Sequence, residues 1–284
     1  MVVSAAVISL SNAKSVDPKQ TNDKTPFEFD EVIPSAFGQR GFNGVWISGD
    51  EFTYNLNGDF VKFNVETKST TNILTRDFIQ QQGWSNPTFR VSADNNKVLV
   101  RHAQRQIFRH STVSKFTIIF FDPVAPPFQI ANGDEIQIAF FTPNGNGLAY
   151  IHDNNIYYLN FDELGLPIFI TTDGVPGVVY NGIPDWVYEE EVLGTDAATW
   201  FSPDGRRMAF VRFDDEKVRE AVYELYGEGD RQYPEEVHLR YPKVSLLYKC
   251  RDCRWLTWQY FRLEQQIQQL TYLSLTSTLN WKAA

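Results

Sequence analysis

An all-β fold, assembled as part of a β-propeller, is predicted by three features of this 284-residue sequence: its aromatic content, a recurrent hairpin motif and the spacing of that motif. Aromatic residues make up 15% of the chain, with 22 Phe, 13 Tyr and 7 Trp. Aromatic and β-branched side chains suit the pleated, half-buried surface of a strand. The motif is an apolar run, a Ser or Thr, a turn rich in Pro, Asp, Asn and Gly, then a second apolar run. It reads VWISGDEFTY from Val45, FRVSADNNKVLV from Phe89, IAFFTPNGNGLAYI from Ile138 and ATWFSPDGRRMAFV from Ala198. Its hydroxyl residues, Ser48, Ser92, Thr142 and Ser202, stand 44, 50 and 60 residues apart. A period in this range, with about four strands per unit, is the signature of a propeller blade, and an ordinary β-sandwich with similar hairpins is the alternative.

Along the chain, residues 1–26 read as an N-terminal tail. Val2 to Leu10 is mostly apolar and Ser11-Asn12-Ala13 has the small-x-small pattern of a cleavage site, but no charge precedes Lys14. The run is too short to span a bilayer, and a weak signal peptide, an anchor remnant and a frayed tail all fit it. Residues 27–243 hold the repeats. Between the hairpins lie further strand-like runs, FVKFNV (60–65), FTIIFFD (116–122) and NIYYLNF (155–161), and Asn144-Gly145 and Asp204-Gly205 are strong hairpin dipeptides. About four blades result, the low end for a closed ring. A blade cannot cover both of its own faces, so a partial ring keeps open faces and edges that favour association. From Val244 the hairpins stop. In the divergent tail 244–284, Leu256, Tyr260, Leu263, Ile267 and Leu270 recur at spacings of three and four and predict a helix over 255–273, appended to the blades rather than part of one.

Composition narrows the function. The formal net charge is −9 and no basic stripe is visible, which argues against a nucleic-acid partner. The only cysteines, Cys250 and Cys253, form a C-x-x-C pair. Such a pair binds metal or does redox chemistry in the right setting. No two further ligands are well placed beside it, so neither metal nor cofactor is expected, and two cysteines make no disulfide scaffold. Asn86-Pro87-Thr88 is excluded as a glycosylation acceptor by its proline, and no other sequon occurs.

The stretch DWVYEEEV (185–192) carries the chemistry. Glu189, Glu190 and Glu191 repel one another when ionised, and Trp186 and Tyr188 displace solvating water. Keeping at least two of them charged takes a cation or several hydrogen-bond donors. A free α-amino group suits this role, being largely protonated at pH 7 with three donors. Two carboxylates converging on it would recognise a chain terminus. For an isolated triplet, a solvated acidic turn or a structural ion pair with Arg or Lys is the commoner arrangement.

The wider context is more specific. YNGIPDWVYEEEV (180–192), followed by WFSPDGRRMAFVRFDD (200–215), closely resembles the propeller domain of the dipeptidyl peptidase IV family, prolyl oligopeptidase-type serine peptidases. That family includes fibroblast activation protein and the catalytically silent potassium-channel accessory subunits. VWISGDEFTY, the RHS at 109–111, NNIYYLNF (154–161) and YPK (241–243) match in the family's order, so the resemblance spans about residues 27–243. It implies the substrate-anchoring propeller of an enzyme that, at full length, releases N-terminal X-Pro or X-Ala dipeptides. It further implies peptide N-termini as ligands, a protein partner or second copy as associate, and an extracellular or cell-surface location.

By the same resemblance, Glu190 and Glu191 clamp the peptide's N-terminal ammonium and Arg109 contacts a peptide carbonyl oxygen. Glu189 supports the loop, and Trp186 and Tyr188 pack it. Phe108 stands where the family often has Trp. Anchoring the chain end at a fixed distance from the nucleophile explains why dipeptides are released. The family's nucleophile lies downstream, in a Gly-x-Ser-x-Gly elbow followed by Asp and His. These 284 residues contain no such elbow. GWSNP (83–87) lacks the second glycine and reads as a surface turn, and His102, His110, His152 and His238 have no triad setting. The sequence leaves the family pattern after Lys243. The chain by itself is therefore expected not to cleave. The alternative is a non-enzymatic interaction protein like the silent members, which also keep the glutamates.

Overall fold

The computed structural model describes residue 29, residues 42–121, 124–162, 166–227 and 232–241, and the backbone of 257–262. The N-terminal tail and the C-x-x-C pair lie outside these residues. The chain divides into two compact units, Met1–Asn43 and Gly44–Ala284, and the second holds the sheets. It is an all-β partial propeller of four-stranded antiparallel sheets.

The first sheet runs β1 (Val45–Trp46), β2 (Glu51–Leu56), β3 (Asp59–Asn64) and β4 (Ser69–Leu74), in that order. A short helix, α1 (Arg76–Gln81), follows, with Thr75 Oγ1 accepting the Phe78 N–H at its start. The second sheet is β5 (Thr88–Val91), β6 (Lys97–Gln106), β7 (Thr112–Phe121) and β8 (Val124–Gln129). The third is β9 (Ile138–Phe141), β10 (Gly147–His152), β11 (Asn155–Asn160) and β12 (Ile168–Phe169). The fourth is built from β13 (Val179–Asn181), β14 (Thr199–Phe201) and β15 (Arg207–Asp214). A separate hairpin, β16 (Glu220–Leu225) with β17 (Glu235–Arg240), leaves it as an arm.

The repeated Ser/Thr is a turn lock. In each motif its hydroxyl donates to the Asp or Asn side chain two residues on: Ser48 to Asp50 (2.7 Å), Ser92 to Asp94 (2.5 Å), Thr142 to Asn144 (2.7 Å) and Ser202 to Asp204 (2.5 Å). The same oxygen accepts the backbone N–H that opens the next strand, from Glu51 (3.0 Å), Lys97 (3.0 Å), Gly147 (3.0 Å) and Arg207 (2.9 Å). In the last three motifs the third residue after the hydroxyl, Asn95, Gly145 or Gly205, takes a left-handed φ of 59°, 75° or 68°. That conformation suits Asn and Gly. Consecutive turns also touch. A Cβ on Gly205 would lie 2.8 Å from the side chain of Asn144, so glycine is needed there for space as well as for φ.

The blades are held together by strands buried on both faces. Side chains alternate across a strand. On β6, Val98 and Val100 join Phe60, Leu74 and Ile79 of the first blade's side, while Leu99 joins Leu148 and Tyr150 of the third. On β10, Ala149 and Ile151 face the other way and pack with Met208 and Phe210 of the fourth. On β15, Val211 and Phe213 turn to the far side, under Tyr188 and Leu193. Because both faces are covered, these strands read as continuous apolar runs rather than as an alternating pattern.

The helix expected over 255–273 does not form at its described residues. Thr257–Arg262 is instead a strand, β18, antiparallel to β15 from Arg207↔Arg262 to Arg212↔Thr257. Phe210 pairs both Thr199 and Gln259, and Arg212 pairs both Asn181 and Thr257. Thus β13 and β14 share one edge of β15, and β18 takes the other. An open edge presents a row of unpaired N–H and C=O groups, and TWQYFR is aromatic-rich enough to pair with it. Thr257–Arg262 therefore adds a strand to the fourth blade.

Phe210, 2% exposed between the third and fourth blades, tests this packing. Phe210→Ala is expected to cost about 3–5 kcal/mol in urea unfolding. A loss well under 1 kcal/mol would mean that the interface between these blades is not sealed.

Candidate functional site

Two excursions meet in space. One is the loop 107–111 at the tip of the β6–β7 hairpin. The other interrupts the edge strand of the fourth blade. β13 ends at Asn181, β14 begins at Thr199, and at the break Gly182 donates to Val211 O (2.9 Å) while Val211 donates to Ala198 O (3.0 Å). The chain between them leaves the sheet and carries the acidic triplet.

Asp185 starts the excursion's single helical turn. Its Oδ1 accepts the N–H groups of Val187 (2.9 Å) and Tyr188 (3.1 Å), as an N-capping carboxylate does. Tyr188–Leu193 is wound as a π-turn, which Gly194 ends in a left-handed conformation, donating to Glu189 O at 3.0 Å. Trp186 packs on Tyr241 (5.1 Å between ring centroids) and Tyr188 on Phe213 (5.0 Å), so both aromatics anchor the turn to the protein.

The three glutamates have three environments. Glu189 is 1% exposed, and its Oε1 accepts the backbone N–H groups of His110 (2.7 Å) and Ser111 (2.8 Å). It thereby ties the fourth blade to the second across nearly 80 residues of sequence. The Glu190 side chain is only 7% exposed, and its Oε2 lies 3.2 Å from Nε of Arg109, whose own side chain is 75% exposed. Glu191 is exposed. Arg109 and Glu190 are thus brought into one ion pair, with Glu191 beside them in sequence on the solvent side.

Beneath the loop lies a cavity of about 160 Å³, lined by Phe108, Ser111, Tyr180, Ile183, Glu189 and Asp196 among others. Asp196 also borders a larger, open cavity of about 600 Å³, lined by residues of β5, β9 and the surroundings of β1. Arg101 borders this cavity too. Its Nε donates to Ser114 Oγ (2.9 Å), and its terminal nitrogen donates to Thr112 Oγ1. Burial pulls the Arg101 guanidinium below its usual value, and the Asp196 carboxylate opposes that shift. Among the described residues no group of His, Cys, Asp and Glu is placed to hold a metal ion, and no helix is long and apolar enough to cross a membrane.

Two supports of this site were not singled out from sequence. Asp185 had a signal, an Asp directly before a helical turn. Gln106, which donates to the carbonyls of the loop, had none.

The chain is thus an all-β partial propeller in which an Arg–Glu ion pair joins two of the blades. Residues 92–246 match the model of the dipeptidyl peptidase IV N-terminal region, and the chain belongs to that family. It is 38% identical to venom dipeptidyl peptidase 4 of Apis mellifera, over 86% of this chain and 34% of that protein. It is 30% identical to the human prolyl endopeptidase FAP, over 81% of this chain and 30% of that protein. The crystal structure of Porphyromonas gingivalis dipeptidyl peptidase 4 shares the fold, with a TM-score of 0.70 at 23% identity, over 84% of this chain and 34% of that one. The chain spans about a third of the length of the curated relatives it matches.

Removing the Glu189 carboxylate tests the tie between the blades. Glu189→Ala leaves the His110 and Ser111 N–H groups without their acceptor, at an expected cost of about 1–3 kcal/mol. Amide exchange at both positions should quicken together. Wild-type exchange rates in the variant would show that Glu189 does not hold the loop.

Proposed function

We propose that the chain is the substrate-anchoring propeller portion of a dipeptidyl peptidase IV-like serine peptidase. Glu190 and Glu191 take the N-terminal ammonium of a peptide, and Arg109 takes one of its carbonyl oxygens. The observation that carries this reading is the Arg109–Glu190 pair. A carboxylate that is mostly buried faces a cation, held at the surface by a loop whose backbone Glu189 supports. Glu189 acts on the loop, not on the peptide. An ammonium bound between Glu190 and Glu191 meets two charge-assisted acceptors, and its distance to any downstream nucleophile is then set by the propeller.

In a full-length parent the function is release of N-terminal X-Pro or X-Ala dipeptides. The 284 residues contain no Gly-x-Ser-x-Gly, so the nucleophile of such a parent would lie outside them. The venom relatives support an extracellular or cell-surface setting. Association with a second copy or a protein partner is supported by the exposed Val222, Tyr223, Tyr226 and Tyr233 on and beside the β16–β17 arm. Sedimentation of the purified chain should show self-association that Tyr223→Ser with Tyr226→Ser weakens, and a strict monomer at high concentration would remove the second-copy reading.

Calorimetry with the tripeptide Ala-Pro-Ala tests the anchor. The free amine should bind and the N-acetylated form should not. Glu190→Gln should weaken binding by about tenfold or more, the loss of a charge-assisted bond. Equal binding of both forms would overturn the ammonium clamp. The chain should leave a glycyl-prolyl chromogenic substrate uncut. Turnover abolished by a serine-directed inhibitor would overturn the assignment of anchoring without catalysis.

A further inference from the structure

The β6–β7 hairpin does not pass a regular register to its tip. Pairing is interrupted between His102 and Arg105, and Ala103 sits at a left-handed φ of 52°. A β-bulge of this kind bends and twists its strand. The orientation of the loop carrying Arg109 is therefore not inherited from the stem and must be set by side chains.

Gln106, the last residue of β6, is placed to do this. Its Nε2 donates to the carbonyl of Phe108, to that of Arg109 at 3.0 Å and to that of Ser111 at 3.4 Å. The Arg109 carbonyl and the His110 N–H belong to one peptide unit. Gln106 of the second blade holds the oxygen of that unit, and Glu189 of the fourth blade holds its N–H at 2.7 Å. A planar peptide gripped at both ends has its orientation fixed, and with it ψ of Arg109 and the direction in which the guanidinium leaves the backbone. Lower down, Arg101 ties Thr112 and Ser114 past the register break.

We infer that Gln106 is a positioning residue for Arg109, which with Glu189 fixes the Arg109–His110 peptide unit so that the guanidinium is presented to a peptide carbonyl. The inference rests on the peptide-anchoring role proposed above for Arg109. Gln106 itself touches no ligand. Its side chain is the right length for the three carbonyls and offers only N–H donors to them. Methionine matches the length without the donors, and lysine restores a donor.

The test uses the whole chain as wild type, Gln106→Met and Gln106→Lys, with two measurements. In the ligand-free protein, amide exchange at His110 should quicken about tenfold in Gln106→Met and return toward wild type in Gln106→Lys. In calorimetry, Gln106→Met should weaken Ala-Pro-Ala by about tenfold, leave n-butylamine unchanged and leave Tm unchanged, because the amine addresses the glutamates without Arg109. Gln106→Lys should recover the tripeptide affinity. A merely structural role would lower Tm and weaken both ligands alike, which would overturn the inference, as would wild-type exchange and affinity in Gln106→Met. If the wild type binds no Ala-Pro-Ala, the anchoring role falls. Exchange at His110 then decides Gln106 separately: faster exchange in Gln106→Met upholds its grip on the loop, and unchanged exchange overturns it.

Discussion

A four-stranded sheet whose middle strands are apolar on both faces cannot stand by itself. Everything else in this protein follows from covering those faces. β6 and β10 each send alternate residues to opposite neighbouring blades, while β15 sends one set to the third blade and the other under the helical turn of its own blade. The turn locks fit the same constraint. Each first strand is joined to its second by a Ser or Thr hydroxyl that is satisfied within the turn, and successive turns lie against one another. Stacking brings the tip of the second blade's hairpin to the interrupted edge strand of the fourth, although a whole blade separates them in sequence.

At that meeting point a run of like charges is divided rather than shared. The π-turn sends Glu189 inward, Glu190 toward Arg109 and Glu191 to solvent. A buried carboxylate needs donors, and Glu189 finds two in the backbone of the neighbouring loop. That bond holds the loop that carries Arg109, and Arg109 stands opposite Glu190. The site is therefore assembled from the edges of two blades, and its geometry depends on the packing between them.

Much of the fold was legible in the sequence. The Ser/Thr, the Asp or Asn two residues on, and the Asn or Gly after it satisfy their hydrogen bonds locally, so each hairpin could be read from a few adjacent residues. The motif at 180–192 pointed to Glu190 and Glu191 and the RHS at 109–111 to Arg109, and Arg109 and Glu190 do meet. The segment 255–273 was the opposite case. Its apolar spacing suited a helix, but Thr257–Arg262 forms a strand on β15, because an unpaired edge elsewhere in the molecule outweighs a local period.

Sequence by itself determined what is short-range: strand composition, turn chemistry, the number of blades and the membership of a motif-bearing family. Tertiary structure alone decided which of three identical neighbours is buried, which carboxylate Arg109 meets, and that Gln106 and Glu189 hold the two ends of one peptide unit. The reason is physical. Burial and hydrogen bonding across blades depend on where distant backbone donors and acceptors come to rest, and no local pattern in the chain encodes those positions.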